Sequence, residues 1–202
     1  MADTKERILT AALELFARSG YEAVSVADIA GALGMTKGAL YRHYESKRAI
    51  FDAIVARMVQ IDAARAREYA VPEQSFEAAP ESYPAALSAL RDFTLAQFDF
   101  WTSDAFAAPF RRMLALEQYR SAEMAQLYMD CLVTGPVSYT EDIFRESMAV
   151  GAMRPGDAGL LALEYCAPLF LLISAADHRS DAAQARSTLA AHLDRFAAAH
   201  IQ

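Results

Sequence analysis

An all-α fold is what this sequence predicts, and three observations predict it. Apolar residues recur every three to four positions along most of the chain, no run alternates with period two, and glycine and proline fall between the periodic stretches. The chain has 202 residues, 54% of them hydrophobic. That is enough for one large domain, or for a small domain joined to a larger one, each with a packed core.

Taken in order, the first helix opens on Asp3 and Glu6, a capping-box pair, and carries Ile8, Leu9, Ala12, Leu13 and Phe16 on one stripe. It stops at Gly20, and a left-handed Gly20 puts Phe16 and Tyr21 at the two positions that touch in a Schellman ending. Ser25 caps a short second helix by accepting from the backbone N–H of Asp28, with Val24 and Ile29 spaced as a hydrophobic staple. Gly34 interrupts the pattern, and Thr36 caps a third helix expected to run to about Tyr44. From Lys47 a long helix carries Ile50, Phe51, Ile54, Met58 and Ile61 on one face until the chain meets Val71-Pro72. Pro72 to Pro84 reads as a linker.

Further helical patterns cover roughly Ala85–Thr102, Ala105–Leu116, Ser121–Leu132 and Val137–Val150. Gly135-Pro136 and Arg154-Pro155-Gly156 are the firmest breaks. Asp157 caps a nearly apolar stretch from Ala158 to Ala176 that approaches the length of a membrane span. It carries Glu164 and Pro168 and lacks a flanking cluster of Lys or Arg, so a buried helix of a soluble protein is expected. Asp181 with Gln184 caps a last helix bearing Leu189, Leu193 and Phe196. These final two helices hold more alanine and leucine than one small domain needs for itself, and a symmetric four-helix interface between two copies is the expected use of the surplus.

The formal net charge is −7, but it is unevenly spread: residues 1–67 carry a net of +2 and the remainder −9. Lys37, Arg42, Lys47 and Arg48 cluster against Glu45 alone, which gives a small basic head on an acidic body. Cys131 and Cys166 lie far apart with no metal or redox spacing and read as small core residues of a cytoplasmic protein. The charged N-terminus has no apolar signal core. No Ser/His/Asp arrangement, phosphate-binding glycine loop or zinc motif occurs, so neither enzyme activity nor a cofactor or metal is expected. Asp177-His178 with Asp181 reads as a helix end with a histidine among acids.

Two short helices joined by a Gly-containing turn and packed on a longer first helix form a helix-turn-helix, whose second member enters the major groove of DNA. Lys37, Tyr41 and Tyr44 share one face of that member, and Leu40 points from another face into the core. Gly38 lets the backbone approach a duplex closely. Ser25, Tyr44 and Lys47 suit phosphate, whereas Thr36, Lys37, Tyr41 and Arg42 suit base edges. His43 reads equally as a contact or as a surface histidine. A helical module without DNA recognition is the competing class.

The run Ala27-Asp28-Ile29-Ala30, then Gly34-Met35-Thr36-Lys37-Gly38-Ala39-Leu40-Tyr41, then Tyr44-Glu45-Ser46-Lys47 resembles the TetR-family signature, and the match extends from Ile8 to Ile54. The resemblance implies a DNA-binding domain over residues 1–47 and an effector-binding and dimerisation domain over 48–202. It implies a homodimeric repressor that joins through its last two helices, binds a pseudo-palindromic double-stranded operator and leaves it when a small molecule binds the body. In that body Phe98, Trp101, Phe110, Met113, Tyr128 and Tyr165 are candidate contacts for an apolar or aromatic effector. The same residues suit a plain core, which is the commoner role for any single one of them. Trp101, Tyr128 and Tyr165 bring polar groups that need partners when buried.

Overall fold

The structure, a computed structural model, describes residues 4–69, 83–178 and 181–202. Asp3 and residues 72–82 of the expected linker lie outside these. Among the described residues the chain forms ten helices and no β-strand: α1 Thr4–Ser19, α2 Val26–Ala32, α3 Lys37–Tyr41, α4 Lys47–Glu68, α5 Tyr83–Ser103, α6 Ala107–Glu117, α7 Ala122–Leu132, α8 Thr134–Ala149, α9 Ala158–His178 and α10 Ala182–His200. They group into two compact units. One comprises Met1–Ala63 with Ala105–Tyr128, the other Ala64–Asp104 with Met129–Gln202. The division falls inside α4 and α7 and assigns α6 to the unit that holds the N-terminal helices, so these units follow a different line from a functional boundary at residue 47.

In the first unit the α1 stripe is buried as its spacing requires: Ile8, Leu9, Ala12, Leu13 and Phe16 face inward. Ile29 of α2, Leu40 of α3, Ile50, Phe51 and Ile54 of α4, and Phe110 and Met113 of α6 are likewise essentially inaccessible, and α1 packs against α6 and α2. Burying a side chain of this size contributes about 1.5–3 kcal/mol, so α3, only five residues long, depends on Leu40 for its place. Met58 also faces inward, whereas Ile61 is half-buried.

α1 ends differently from expectation. Gly20 takes the left-handed conformation, φ +83°, and Phe16 and Tyr21 do meet, with ring centroids 5.2 Å apart. The ending is the simpler one, in which the Gly20 N–H donates to the Phe16 carbonyl at 2.9 Å. The Tyr21 N–H, which a Schellman ending would fold back onto the helix, instead donates to the carboxylate of Glu117 on α6 at 2.9 Å.

The second unit is built on α5, α8, α9 and α10. The expected break at Gly135-Pro136 shifts: α8 starts at Thr134, with both residues in its first turn, where a missing N–H costs nothing. A side chain on Gly135 would put its Cβ 2.0 Å from the Asp130 carbonyl oxygen, so only glycine allows the chain to turn from α7 into α8 this tightly. Phe144, Tyr165 and Phe196 form a three-ring cluster with centroids 5.1 to 5.6 Å apart. The Thr94 hydroxyl donates to the Leu90 carbonyl at 2.7 Å. Its proton is thereby committed, so the Tyr165 hydroxyl, 3.0 Å away, is the donor between the two. The Cys166 thiol is buried against Thr140, and that burial pushes it up to about 11, which keeps it neutral.

α9 departs from the buried helix expected of it. Asp157 caps it as anticipated, accepting from the Leu160 N–H at 3.0 Å, and Ala162, Tyr165, Cys166, Leu169 and Ile173 face the bundle. Only 28% of its most apolar window is buried, however, and Leu160, Leu163 and Leu171 are 65, 53 and 69% exposed. The helix is apolar on both faces, and within one chain only one face finds neighbours. By length and composition alone it is able to cross a membrane; packing of its inner face against α5, α8 and α10 makes it a bundle member. Asp181 caps α10, accepting from the Gln184 N–H at 2.8 Å, and Leu189, Leu193 and Phe196 are buried.

Candidate nucleic-acid interface

Ser25 and Asp28 form a reciprocal capping box at the start of α2. The Asp28 N–H donates to the Ser25 hydroxyl oxygen at 3.2 Å, and the Ser25 N–H donates to the Asp28 carboxylate at 2.8 Å. The Ser25 hydroxyl gives its own proton to that carboxylate at 2.6 Å. These bonds hold the Asp28 carboxyl below the usual aspartate value, the side-chain bond from Ser25 being the larger cause. Ser25 is thus first of all a cap, and what it presents outward is an oxygen whose proton is already in use. With Val24 and Ile29 buried on either side of the cap, the start of α2 is fixed.

A turn through Gly34, φ +64°, leads to Thr36, whose hydroxyl accepts from the Ala39 N–H at 3.2 Å and so begins α3. α3 then ends at Tyr41 rather than Tyr44. The N–H groups of His43 and Tyr44 both converge on the Leu40 carbonyl, which closes the chain into a tight turn. The stripe foreseen through Lys37, Tyr41 and Tyr44 therefore breaks after Tyr41. Lys37, Gly38, Tyr41 and Arg42 are exposed, while His43 and Tyr44 are half-buried. The Lys37 ammonium stands 5.8 Å from the centroid of the Tyr41 ring, and that of Lys5 5.9 Å from the Tyr44 ring. A Cβ on Gly38 would meet nothing within 4 Å, so packing inside the chain gives no reason for a glycine there.

Lys47, the first residue of α4, faces inward more than expected. Its ammonium donates to the carbonyls of Tyr21 and Glu22 at 2.8 and 3.4 Å and lies 4.2 Å from the centroid of the Tyr21 ring. Its neighbour Arg48 carries the outward charge, forked onto Glu123 at 2.5 and 3.1 Å and bonded to Asp52 at 2.7 Å.

One residue bonded to the α1–α2 loop escaped sequence reasoning. Glu117 is 2% exposed and accepts the Tyr21 N–H, with Arg120 3.4 Å from its other oxygen. The available signal was its spacing: Glu117 follows Phe110, Met113 and Leu114 at helical intervals on the apolar face of α6, where a carboxylate needs a partner.

The six candidate effector contacts divide between the compact units. Phe98, Trp101 and Tyr165 belong to the second and Phe110, Met113 and Tyr128 to the first. All are buried except Tyr128, which is half-buried. A groove of about 370 Å³ on the first unit is lined by α1 and α2 residues, including Glu6, Arg7, Glu14 and Arg18, and involves none of the six. No cluster of three or more metal-binding side chains occurs among the described residues.

Comparison with known proteins bears on the same region. Residues 8–54 match the family described as bacterial regulatory proteins, tetR family. The chain is 30% identical over 103 residues to the HTH-type transcriptional repressor BepR of Brucella suis, a match covering 51% of this chain and 45% of BepR. It spans under half the length of the curated relatives it matches. Among solved structures, the TetR family transcriptional regulator PfmR of Thermus thermophilus superimposes with a TM-score of 0.66 at 26% identity, over 94% of this chain and 96% of that one. SmeT, the repressor of the Stenotrophomonas maltophilia multidrug efflux pump SmeDEF, shares the fold, with a TM-score of 0.67 at 21% identity over 100% and 92% of the two chains.

Proposed function

We propose that this chain, whose residues 8–54 match the tetR family of bacterial regulatory proteins, is a member of that family and a DNA-binding transcriptional regulator of the cytoplasm. In this reading it is a repressor that leaves its operator when a small, mainly apolar or aromatic effector binds the body. The family consists of transcriptional regulators rather than enzymes, and BepR, a relative through half of this chain, is named a repressor. The observation that carries the reading is the capped α2–α3 pair with an outward face of Lys37, Gly38 and Tyr41, anchored beneath by Leu40.

Residues 1–47 are the DNA-binding head in this proposal and 48–202 the effector-binding and dimerisation body. Thr36, Lys37, Tyr41 and Arg42 read base edges, Gly38 permits the approach, Tyr44 and Lys47 line the phosphate side, Ser25 joins them once its hydroxyl proton is released from the Asp28 carboxylate, and His43 is a further contact. Two heads are needed for two half-sites, and α9 with α10 supplies the joint. Leu160, Leu163 and Leu171 stand bare on α9, and exposed alanines on α10, among them Ala183, Ala191 and Ala198, let a second copy approach closely. Phe98, Trp101, Phe110, Met113, Tyr128 and Tyr165 are the side chains proposed to respond to the effector.

The test is selection of bound sequences from random duplex DNA, followed by affinity measurement on the winner at two salt concentrations. Enrichment of a pseudo-palindrome, bound more weakly as salt rises through counterion release, is the expected result. A folded sample that enriches no motif would overturn the reading and favour a module without DNA recognition.

A further inference from the structure

We propose that Glu117 is a positioning residue for DNA recognition, fixing the approach to the helix-turn-helix from outside it. The inference rests on the DNA-binding reading above. Its basis is a single residue held at both its N–H and its carbonyl. The N–H of Tyr21 donates to Glu117 Oε1 at 2.9 Å, and the carbonyl of the same residue accepts from the Lys47 ammonium at 2.8 Å. Glu117 closes α6, Tyr21 lies in the loop that leads from α1 to α2, and Lys47 opens α4 directly after the turn that follows α3. One residue in the α1–α2 loop thus ties α6 to the N-terminus of α4, and the α2–α3 pair lies between the two tethered points along the chain.

The tether is built to be stiff. Glu117 is 2% exposed, so water does not compete for its carboxylate, and a hydrogen bond to a charged acceptor in such surroundings is among the stronger ones. Gly20 is left-handed, and a Cβ there would lie 2.9 Å from Glu117 Oε1, so the loop backbone is drawn tight onto the carboxylate. Rings continue the contact: Tyr21 packs against Phe16 of α1 and Phe51 of α4 at 5.2 and 5.4 Å. Base-edge hydrogen bonds tolerate displacements of only about 0.5 Å before they fail. A loop released from Glu117 is expected to let α2 and α3 shift by that much while the core stays intact.

Glu117→Ala leaves the Tyr21 N–H without an acceptor, whereas Glu117→Gln keeps an acceptor oxygen and loses only the charge. Leu114→Ala, which opens a cavity at a fully buried position on the same helix, serves as the comparison for general destabilisation. Each is measured as the full chain for affinity to the selected operator well below its unfolding temperature, and for hydrogen exchange of the Tyr21 amide without DNA. The expected result is an operator affinity about tenfold weaker and a faster Tyr21 exchange in Glu117→Ala, with both largely restored in Glu117→Gln and unchanged in Leu114→Ala. Wild-type affinity in Glu117→Ala, or an equal loss in Leu114→Ala, would overturn the proposal. If the wild-type chain itself binds no operator, the DNA-binding reading fails and takes the role in recognition with it, while the exchange data alone report whether the tether exists.

Discussion

The Lys47 ammonium donates to the Tyr21 carbonyl at 2.8 Å and stands 4.2 Å from the centroid of the Tyr21 ring, so one side chain meets both the backbone and the aromatic face of the same residue. The lysine stem spans from the start of α4 to the α1–α2 loop, 26 positions earlier in the chain. A cation at this point therefore contributes to the architecture of the head as well as to its charge. The two contributions separate experimentally.

Lys47→Met keeps most of the stem and removes the charge. It should lower the stability of the chain to urea by about 1.5–3 kcal/mol, the range for hydrogen bonds to a charged group, with the cation–π contact adding a smaller amount. Equilibrium unfolding followed by circular dichroism checks this. Unchanged stability would mean that the ammonium matters only when a phosphate is present.

Gly20 and Gly34 both adopt positive φ, but their surroundings differ. A Cβ at Gly20 meets Glu117 Oε1 at 2.9 Å, whereas one at Gly34 meets nothing within 4 Å. Gly34→Ala should cost only the left-handed backbone strain of about 1–2 kcal/mol. Gly20→Ala should cost that strain together with part of the Glu117 hydrogen bond and so be clearly the more damaging. Comparison of the two urea midpoints decides it, and equal losses would show that the carboxylate yields at no cost.

Much of this was legible in the sequence, for reasons that can be named. The caps at Ser25, Thr36, Asp157 and Asp181 are local, formed by a side chain and a backbone N–H three residues away, so spacing alone reveals them. The α1 stripe and the buried Leu40 follow from the helical period. What spacing does not encode is partnership across the chain. The Tyr21 amide finds Glu117 at a separation of 96 residues, and Lys47 turns toward loop carbonyls rather than outward. The end of α3 was misjudged because Tyr44 keeps a helical amide bond in a chain that has already turned. Composition likewise suggested a buried α9 and could not reveal which of its two apolar faces the chain covers.

The capping box makes the start of α2 sensitive to acid. Hydrogen bonds from Ser25 hold the Asp28 carboxyl below the usual aspartate value of 3.8. A carboxyl depressed in the folded state adds stability above its unfolded value and loses it as the pH falls through the folded one. The α2 cap should therefore persist at neutral pH and weaken only below about pH 4. Carboxyl chemical shifts followed by NMR should place the Asp28 midpoint below 3.8, and Ser25→Ala should bring it back up. A midpoint that stays low without the Ser25 hydroxyl would assign the depression to some other group.

Lys37→Ala and Tyr41→Ala should each weaken operator binding by about 1–3 kcal/mol if they touch base edges. Both side chains are exposed and contribute little to the core, so thermal unfolding should hardly change. The distinguishing readout is sequence preference: selection repeated with each variant should relax one position of the half-site. Weaker binding with an unchanged motif would reassign that side chain to phosphate.

The bare leucines of α9 give the proposed dimer a direct test. Leu163 and Leu171 are 53 and 69% exposed, and they lie eight residues apart, close to the same face of the helix. Burial of their remaining exposed surface against a second copy would recover about 1–2 kcal/mol for each side chain. A carboxylate at either position would have to be desolvated in that interface, and the two-fold axis would repeat the cost on the partner. Leu163→Glu with Leu171→Glu should therefore sediment as a monomer at micromolar concentration where the wild-type chain sediments as a dimer. Helix content by far-UV circular dichroism should be unchanged, because neither leucine belongs to the core of its own chain. Affinity for the full pseudo-palindrome should fall, while the weak binding to an isolated half-site should persist, since each head remains intact. A dimeric double variant would move the joint to another face of the body.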